Sequence, residues 1–223
     1  MRKMFLFLFV LLLGFLNLKA QIASGTLSHG GLNRTYLVYL PTSYVQGANL
    51  PVVFVLHALT MNGQRMMQVT GMNAVAEANN FIAVYPDGIG GAWNVGFAIP
   101  GASTADDVGF IDALVDRVAT QYNADLNRVY ACGLSNGGFL SYKLACESTK
   151  CFTAIAPVSG VITDAAFATC VPMRSVPVLH TADVREPIEG PALILDYGSP
   201  TLVPPGWTIR PGQASTPVLT ANK

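Results

Sequence analysis

Gly133-Leu134-Ser135-Asn136-Gly137 lies between two runs of different character. Before it, Arg128-Val129-Tyr130-Ala131-Cys132-Gly133 has the length and β-formers of a strand. After it, Gly137 to Cys146 reads as a helix. A strand that passes into a helix through G-x-S-x-G is the setting of a nucleophile elbow. The turn is so tight that side chains two residues before and after the serine would clash, and the glycines avoid this. Ser135 would then stand at the carboxyl end of a sheet, where open α/β folds bind ligands. It would also sit at a helix N-terminus, whose amides and dipole favour a developing anion. The same five-residue pattern arises by chance in glycine-rich turns. The flanking strand and helix are what make Ser135 a candidate nucleophile.

The rest of the chain alternates in the same way. Strands are expected at Asn33–Leu40, Val52–His57, Phe81–Tyr85, Phe152–Val158 and Val176–His180, with helices over Val69–Asn79 and Asp106–Tyr122. The run Val52-Val53-Phe54-Val55-Leu56 is apolar throughout, as in a strand buried on both faces. In Asp106–Tyr122, Val108, Ile111, Leu114, Val115 and Val118 recur at three- and four-residue spacings. Such alternation implies an α/β domain with a mostly parallel sheet and helices on both faces. The rhythm stops near Gly190. Seven of the 14 prolines fall from Pro187 onward, and Gly190–Lys223 carries only Asp196, Arg210 and Lys223 as charged residues. We expect 191–223 to be an atypical proline-rich tail that lacks a closing helix and last strand.

Export is expected from the other end. Met1-Arg2-Lys3 is basic, Phe5–Leu18 is an apolar run broken only by Gly14 and Asn17, and Leu18-Lys19-Ala20 offers a cleavage site before Gln21. This reads as a signal peptide over 1–20. The run is shorter than the ~20 apolar residues that span a bilayer, so no stable span is expected after cleavage. Removing 1–20 takes away three of the 13 Lys+Arg and none of the 13 Asp+Glu, leaving a slightly acidic chain. That argues against a nucleic-acid-binding surface. An apolar fraction of 51% with 12% charged residues excludes disorder. The four cysteines, Cys132, Cys146, Cys151 and Cys170, contain no CxxC pair, and His29, His57 and His180 form no ligand cluster with them. No metal or cofactor is expected, and disulfides suit an oxidising compartment. Three full pairings are possible. We favour Cys146 with Cys170, which flank one βα unit, over the alternative of four free thiols.

Acyl transfer at Ser135 requires an oxyanion hole and an acid–base pair. One amide would come from Asn136. The second would come from the loop after Val52–Leu56, with Leu59 as donor and Thr60 as its neighbour. His57 opens that loop, and we read it as orienting the loop rather than as the base. Asp183 follows the last expected strand and is the candidate acid, with Asp164 as rival. Trp93 and Asn94 are candidates for the substrate pocket, with a buried structural Trp as the other reading.

Several further stretches extend the pattern: Arg34–Pro41, Val53–His57, Tyr85-Pro86-Asp87-Gly88, Ala92-Trp93-Asn94, Asp106–Phe110, Arg128–Gly138, Leu144–Glu147 and Ile155–Val158. Together, from about Gly25 to Gly190, they resemble the secreted esterase family of polyhydroxybutyrate depolymerases and feruloyl or acetylxylan esterases. The resemblance implies an α/β-hydrolase fold over 21–190, a secreted serine esterase without a metal, Ser135 as nucleophile, Asp183 as acid and a Cys146–Cys170 bridge. Three departures stand out. Ala58 replaces a usual glycine, where a methyl could shift the oxyanion loop. Leu179-His180-Thr181-Ala182-Asp183 is about three residues shorter than the family's pattern. The resemblance is C-terminally incomplete, and no histidine follows His180, whereas the family's catalytic histidine lies well beyond the acid. His180 or His57 would have to substitute as base.

The expected function is therefore a monomeric, extracellular or periplasmic carboxylic-ester hydrolase. Its substrate would be an ester-bearing plant polysaccharide fragment or a polyester. The alternatives are a catalytically dead truncated relative or a glycan- or ester-binding protein, and, from fold analogy alone, a serine peptidase.

Overall fold

The computed structural model describes residues 21–97, 101 and 103–179, together with the backbone of five short strands between 188 and 221. His180, Asp183 and the expected signal peptide over 1–20 lie outside the described residues.

A six-stranded sheet organises the chain. Its strands are β1 (Gln21–His29), β2 (Leu32–Leu40), β3 (Val52–Leu56), β4 (Ile82–Pro86), β5 (Val129–Leu134) and β6 (Ala154–Val158), in the order β1-β2-β4-β3-β5-β6. β4, β3, β5 and β6 run parallel, while β2 is antiparallel to both β1 and β4. The order 4-3-5-6 means that the chain crosses over between parallel strands, and helices fill those crossovers. They are α1 (Gly63–Thr70), α2 (Met72–Asn79), α3 (Asp107–Tyr122) and α4 (Asn136–Glu147), followed by the short α5 (Asp164–Thr169). This is the architecture of an α/β-hydrolase.

The continuous apolar strands split their residues between two cores. Val52, Phe54 and Leu56 of β3 join Ile111 and Leu114 of α3 and Leu140 and Leu144 of α4 on one face. Val53 and Val55 face Met66 of α1 and Ala76 of α2 on the other. With helices on both sides, neither face of β3 tolerates a polar residue, which explains the absence of alternation.

The structure differs from the sequence expectations in four places. The strand β1 was not expected. It pairs with β2 along its whole length through a two-residue turn at Gly30 and Gly31, with φ 57° and 77°. Two successive positive φ angles define a type I′ hairpin, and Gly-Gly is the signal for it. The helix expected over Val69–Asn79 is two helices meeting at Gly71, whose φ of 60° ends α1. Asn62 caps α1, its side-chain oxygen accepting from Arg65 N at 2.8 Å. The strand expected at Val176–His180 is reduced to one parallel bridge, Ile155 with Val178. Pro177 has no N–H to extend that ladder. Beyond Pro187 the described segments are strands: β7 (Ile188–Glu189), β8 (Ala192–Asp196), β9 (Ser199–Val203), β10 (Trp207–Arg210) and β11 (Val218–Ala221). They pair antiparallel in sheets of three and two, none joined to the six-stranded sheet. Among the described residues no helix follows α5.

One disulfide joins Cys146, near the end of α4, to Cys170, just past α5. Cys132 and Cys151 are free thiols, and burial pushes the Cys132 thiol up to about 12, so it stays protonated. No helix among the described residues is long and apolar enough to cross a membrane.

Candidate active site

Ser135 occupies the turn between β5 and α4 with φ 51° and ψ −112°. A non-glycine residue in this region is strained, and the surrounding backbone holds it there. The Ser135 N–H donates to Val158 O at 2.8 Å, and Ser135 O accepts from Phe139 N at 3.0 Å. The two flanking glycines are required by close approach. A Cβ on Gly133 would lie 2.3 Å from Gly137 O, and one on Gly137 would lie 2.3 Å from Leu56 O. The second contact ties the elbow to the end of β3, where the candidate oxyanion loop begins.

That loop is Ala58–Thr60. The Thr60 N–H is committed to Gly91 O at 2.8 Å, and Met61 N donates to Ala58 O at 3.1 Å. Thr60 is therefore not the free donor, and Leu59 remains the candidate beside the Asn136 amide at the start of α4. The left-handed φ falls on Thr60, at 65°. Ala58 is not among the described residues with positive φ, so its methyl needs no unusual backbone there.

Two of the expected site residues have other tasks. Trp93 is fully buried, its indole N–H donates to His57 O at 2.9 Å, and its ring stacks on the imidazole at 4.5 Å. It cannot line an open pocket. Asn94 spends its side chain on Ala105 O at 2.9 Å and on Gly96 N at 3.2 Å, so it too is a loop brace. The expectation that Trp93 lines the substrate pocket is corrected by its burial, whereas Asn94 is only half-buried. A groove of about 330 Å³ lies next along α4 instead, lined by Phe97, Phe139, Lys143, Ile162 and the Cys146–Cys170 bridge. Phe97 and Phe139 meet with ring centroids 5.4 Å apart, and Phe139 is one turn beyond Ser135.

Both nitrogens of the buried His57 ring are occupied. Nδ1 is 2.8 Å from Ala58 O, and Nε2 is 2.8 Å from Gly88 N. His57 is thus not placed as a base for Ser135. His29 pairs with Asp106 at 2.8 Å, which holds that carboxyl below the usual range. Asp164 opens α5 and is exposed.

The sequence reading overlooked a polar network that holds these loops. Arg34 and Asp107 form an ion pair at 2.6 Å with side chains 1% and 0% exposed. Arg34 also donates to Asp87 O at 3.1 Å and lies 4.0 Å over the Phe110 ring. The other Asp107 oxygen accepts from Asn94 N at 2.6 Å. Asp87 in turn accepts from Thr35 Oγ1 at 2.5 Å and Gly63 N at 2.6 Å. Asn136 completes the frame: its side-chain oxygen accepts from Trp93 N at 2.7 Å and its amide reaches Trp93 O at 3.4 Å. The residue after the candidate nucleophile thereby fixes the Trp93 loop with its side chain and leaves its main-chain N–H for the site. A signal for Arg34 was present, since it falls in alternation with the buried Tyr36, Val38 and Leu40. No group of three or more metal-ligating side chains occurs among the described residues.

Comparison with known proteins agrees with this fold. The chain is 26% identical over 160 residues to a bifunctional acetylxylan esterase/xylanase of Neocallimastix patriciarum, covering 71% of this chain and 22% of that protein. It is 28% identical over 146 residues to feruloyl esterase D of Neurospora crassa, covering 60% and 48%. A probable feruloyl esterase C of Aspergillus clavatus is 32% identical over 146 residues, covering 63% and 50%. The chain thus spans half or less of the length of these curated relatives. In fold it is similar to an acetyl xylan esterase from Aspergillus awamori, with a TM-score of 0.58 at 14% identity over 90% of this chain and 92% of that one. A ferulic acid esterase matches at a TM-score of 0.51 and 22% identity, over 64% and 60%. The family model described as Esterase PHB depolymerase matches residues 34–195, which include the buried Arg34, the loops it holds and the elbow, and the chain belongs to that family.

Proposed function

We propose that the chain is a secreted serine carboxylic-ester hydrolase that forms an acyl-enzyme on Ser135. The observation that carries this is the strained Ser135 backbone at the start of α4, followed by Asn136 and by Gly137, which packs on Leu56 O and His57 O just before the Leu59 loop. The Ser135 Oγ attacks the ester carbonyl carbon, the carbonyl oxygen takes the negative charge, and its collapse expels the alcohol. Water then cleaves the acyl–serine bond. Feruloyl and acetyl esters on xylan fragments are the substrates we favour, with polyester as the alternative. The aromatic Phe97–Phe139 groove beside α4 suits an aromatic acyl group. The fold boundaries we propose are a signal peptide over 1–20, a catalytic domain over 21–190 and a tail over 191–223, acting as a monomer outside the cytoplasm.

Asp183 is assigned as the acid by resemblance. With His57 and His29 engaged elsewhere, His180 is the remaining imidazole of the chain and the substitute base. With His29 and His57 held in other hydrogen bonds, slow turnover is expected wherever His180 fails to act as base, near the ~10³–10⁴-fold over water that survives loss of a triad member. The test compares the protein with Ser135→Ala and His180→Ala on p-nitrophenyl acetate. A slow rate lost in Ser135→Ala and reduced in His180→Ala supports the assignment. Many Ser135-dependent turnovers per second, unchanged in His180→Ala, would place the base elsewhere.

A second reading is a catalytically silent protein that binds ester-bearing glycan. It is favoured by one observation: His29 and His57 each hydrogen-bond elsewhere, and neither is placed beside Ser135 as a base. Under that reading Ser135→Ala leaves the background rate untouched, while a feruloylated xylo-oligosaccharide still binds.

A further inference from the structure

We propose that His57 is a positioning residue, a neutral imidazole that latches the oxyanion loop to the Asp87–Trp93 loop and lets go when it gains a second proton. The inference rests on the serine-esterase reading of the same site and names how its oxyanion loop is held.

The geometry admits one tautomer. The Gly88 N–H can only donate, so Nε2, at 2.8 Å, must carry a lone pair. Ala58 O can only accept, so Nδ1, also at 2.8 Å, must carry the proton. The imidazole is therefore the neutral Nδ1–H form, and it bridges two loops that approach from different strands. Its own carbonyl accepts from the Trp93 indole, and Trp93 N is held by the Asn136 side chain. One ring thus connects the carbonyl of Ala58, which precedes the Leu59 amide, to the residue that follows the candidate nucleophile. Rotation of the Ala58–Leu59 peptide would turn the Leu59 N–H away from the oxyanion, and the Nδ1–H bond to Ala58 O opposes that rotation.

A second proton on Nε2 would leave two donors facing each other at the Gly88 contact. One of the two loops must then move. The charged groups around the ring act in both directions. Asp87, on the loop after β4, and Asp107, on α3, favour the imidazolium, and the Trp93 face adds some cation–π attraction. Arg34, on β2, opposes it. Burial is the largest influence and also opposes it, so the group titrates below its ordinary value near 6.5. The latch is closed at neutral pH and opens on acidification.

Two measurements on the full chain test this. Long-range proton–nitrogen NMR on uniformly ¹⁵N-labelled protein reads the tautomer directly. We expect a protonated Nδ1 and a bare Nε2 at neutral pH, with the Gly88 and Leu59 amides shifting together with His57 as the pH falls. An Nε2–H tautomer, or Gly88 and Leu59 amides that ignore the His57 titration, overturns the proposal whether or not the protein is an esterase. The kinetic measurement follows Ser135-dependent p-nitrophenyl acetate cleavage. His57→Ala should lower kcat by about 10²-fold, the scale of a lost oxyanion donor, with KM changed far less. His57→Gln, which can still accept from Gly88 but cannot titrate, should recover part of kcat and lose the acidic limb that His57 imposes. A kcat equally low in both variants, with the acidic limb retained in His57→Gln, would also overturn it. Absence of any Ser135-dependent rate in the wild-type chain removes the esterase reading and leaves the NMR result to decide the latch.

Discussion

The elbow and the Asp87–Asp107 loops are neighbours around Asn136, and they are held in opposite ways. The elbow is closed by backbone against backbone, with Gly137 lying where any Cβ would strike Leu56 O. The loops are closed by side chains against backbone: Arg34 on Asp87 O, Asp107 on Asn94 N, Asn136 on Trp93 N and His57 on Gly88 N. A turn built from close approach tolerates no added atom. A loop built from charged side chains tolerates no removed partner. The difference teaches where strain and where electrostatics position a candidate catalytic group in this fold.

The largest expected effect is on the loop side. Asp107→Ala should cost about 3–5 kcal/mol in urea unfolding, because it leaves the Arg34 guanidinium buried without a counter-charge. The double replacement Arg34→Leu with Asp107→Leu should recover a large part of that loss. If Asp107→Ala unfolds within 1 kcal/mol of wild type, by the same scale, the network is not what holds the loops. On the elbow side, Gly137→Ala should cost about 3 kcal/mol or more, since the clash is with main chain that cannot swing aside. Soluble Gly137→Ala protein with an unchanged unfolding midpoint would break the contrast between the two regions.

Removal of the Cys146–Cys170 bridge comes next. A closure spanning 24 positions corresponds to about 3 kcal/mol in the chain-entropy model, often less in practice. Comparing Cys146→Ser/Cys170→Ser with wild type in urea measures it, and a peptide digest without reductant should show no bridge to Cys132 or Cys151. The pH dependence is smaller. The folded pKa of His57 is depressed, so below its ordinary value near 6.5 the unfolded chain binds a proton that the folded chain refuses. This contribution is fully present above that value, declines as pH falls toward the folded pKa, and levels off below it. Its slope cannot exceed about 1.4 kcal/mol per pH unit, and His57→Gln should abolish that component. The smallest effect is local. Asn62→Ala removes the cap of α1 and should cost about 1 kcal/mol, well short of the losses at Asp107 and Gly137.

Much of the frame was legible because its causes are local. The apolar run Val52–Leu56, the three- and four-residue spacing in α3 and the glycines around Ser135 each specify structure within a few residues. The β1–β2 hairpin was equally local, with Gly30-Gly31 as its mark, and was overlooked because the outer strand β1 is largely exposed and lacks a buried apolar face. The pocket was misplaced for another reason. Trp93 and Asn94 have side chains suited to binding, and sequence cannot show that their hydrogen bonds are already taken by His57, Ala105 and Gly96.

By itself, then, the sequence determined the order of strands and helices, the position of the elbow and the glycines that permit it, because backbone sterics and hydrophobic period act over short stretches. Only the tertiary structure decided which charges meet. Arg34 and Asp107 are 73 residues apart in the chain, and His57 and Gly88 are 31 apart. Their pairing, the tautomer of His57 and the burial of Trp93 follow from how the sheet order brings β2, β3 and the loop after β4 together. A hydrogen bond depends on angstrom-scale separation, and that separation exists only after the strands have taken their places.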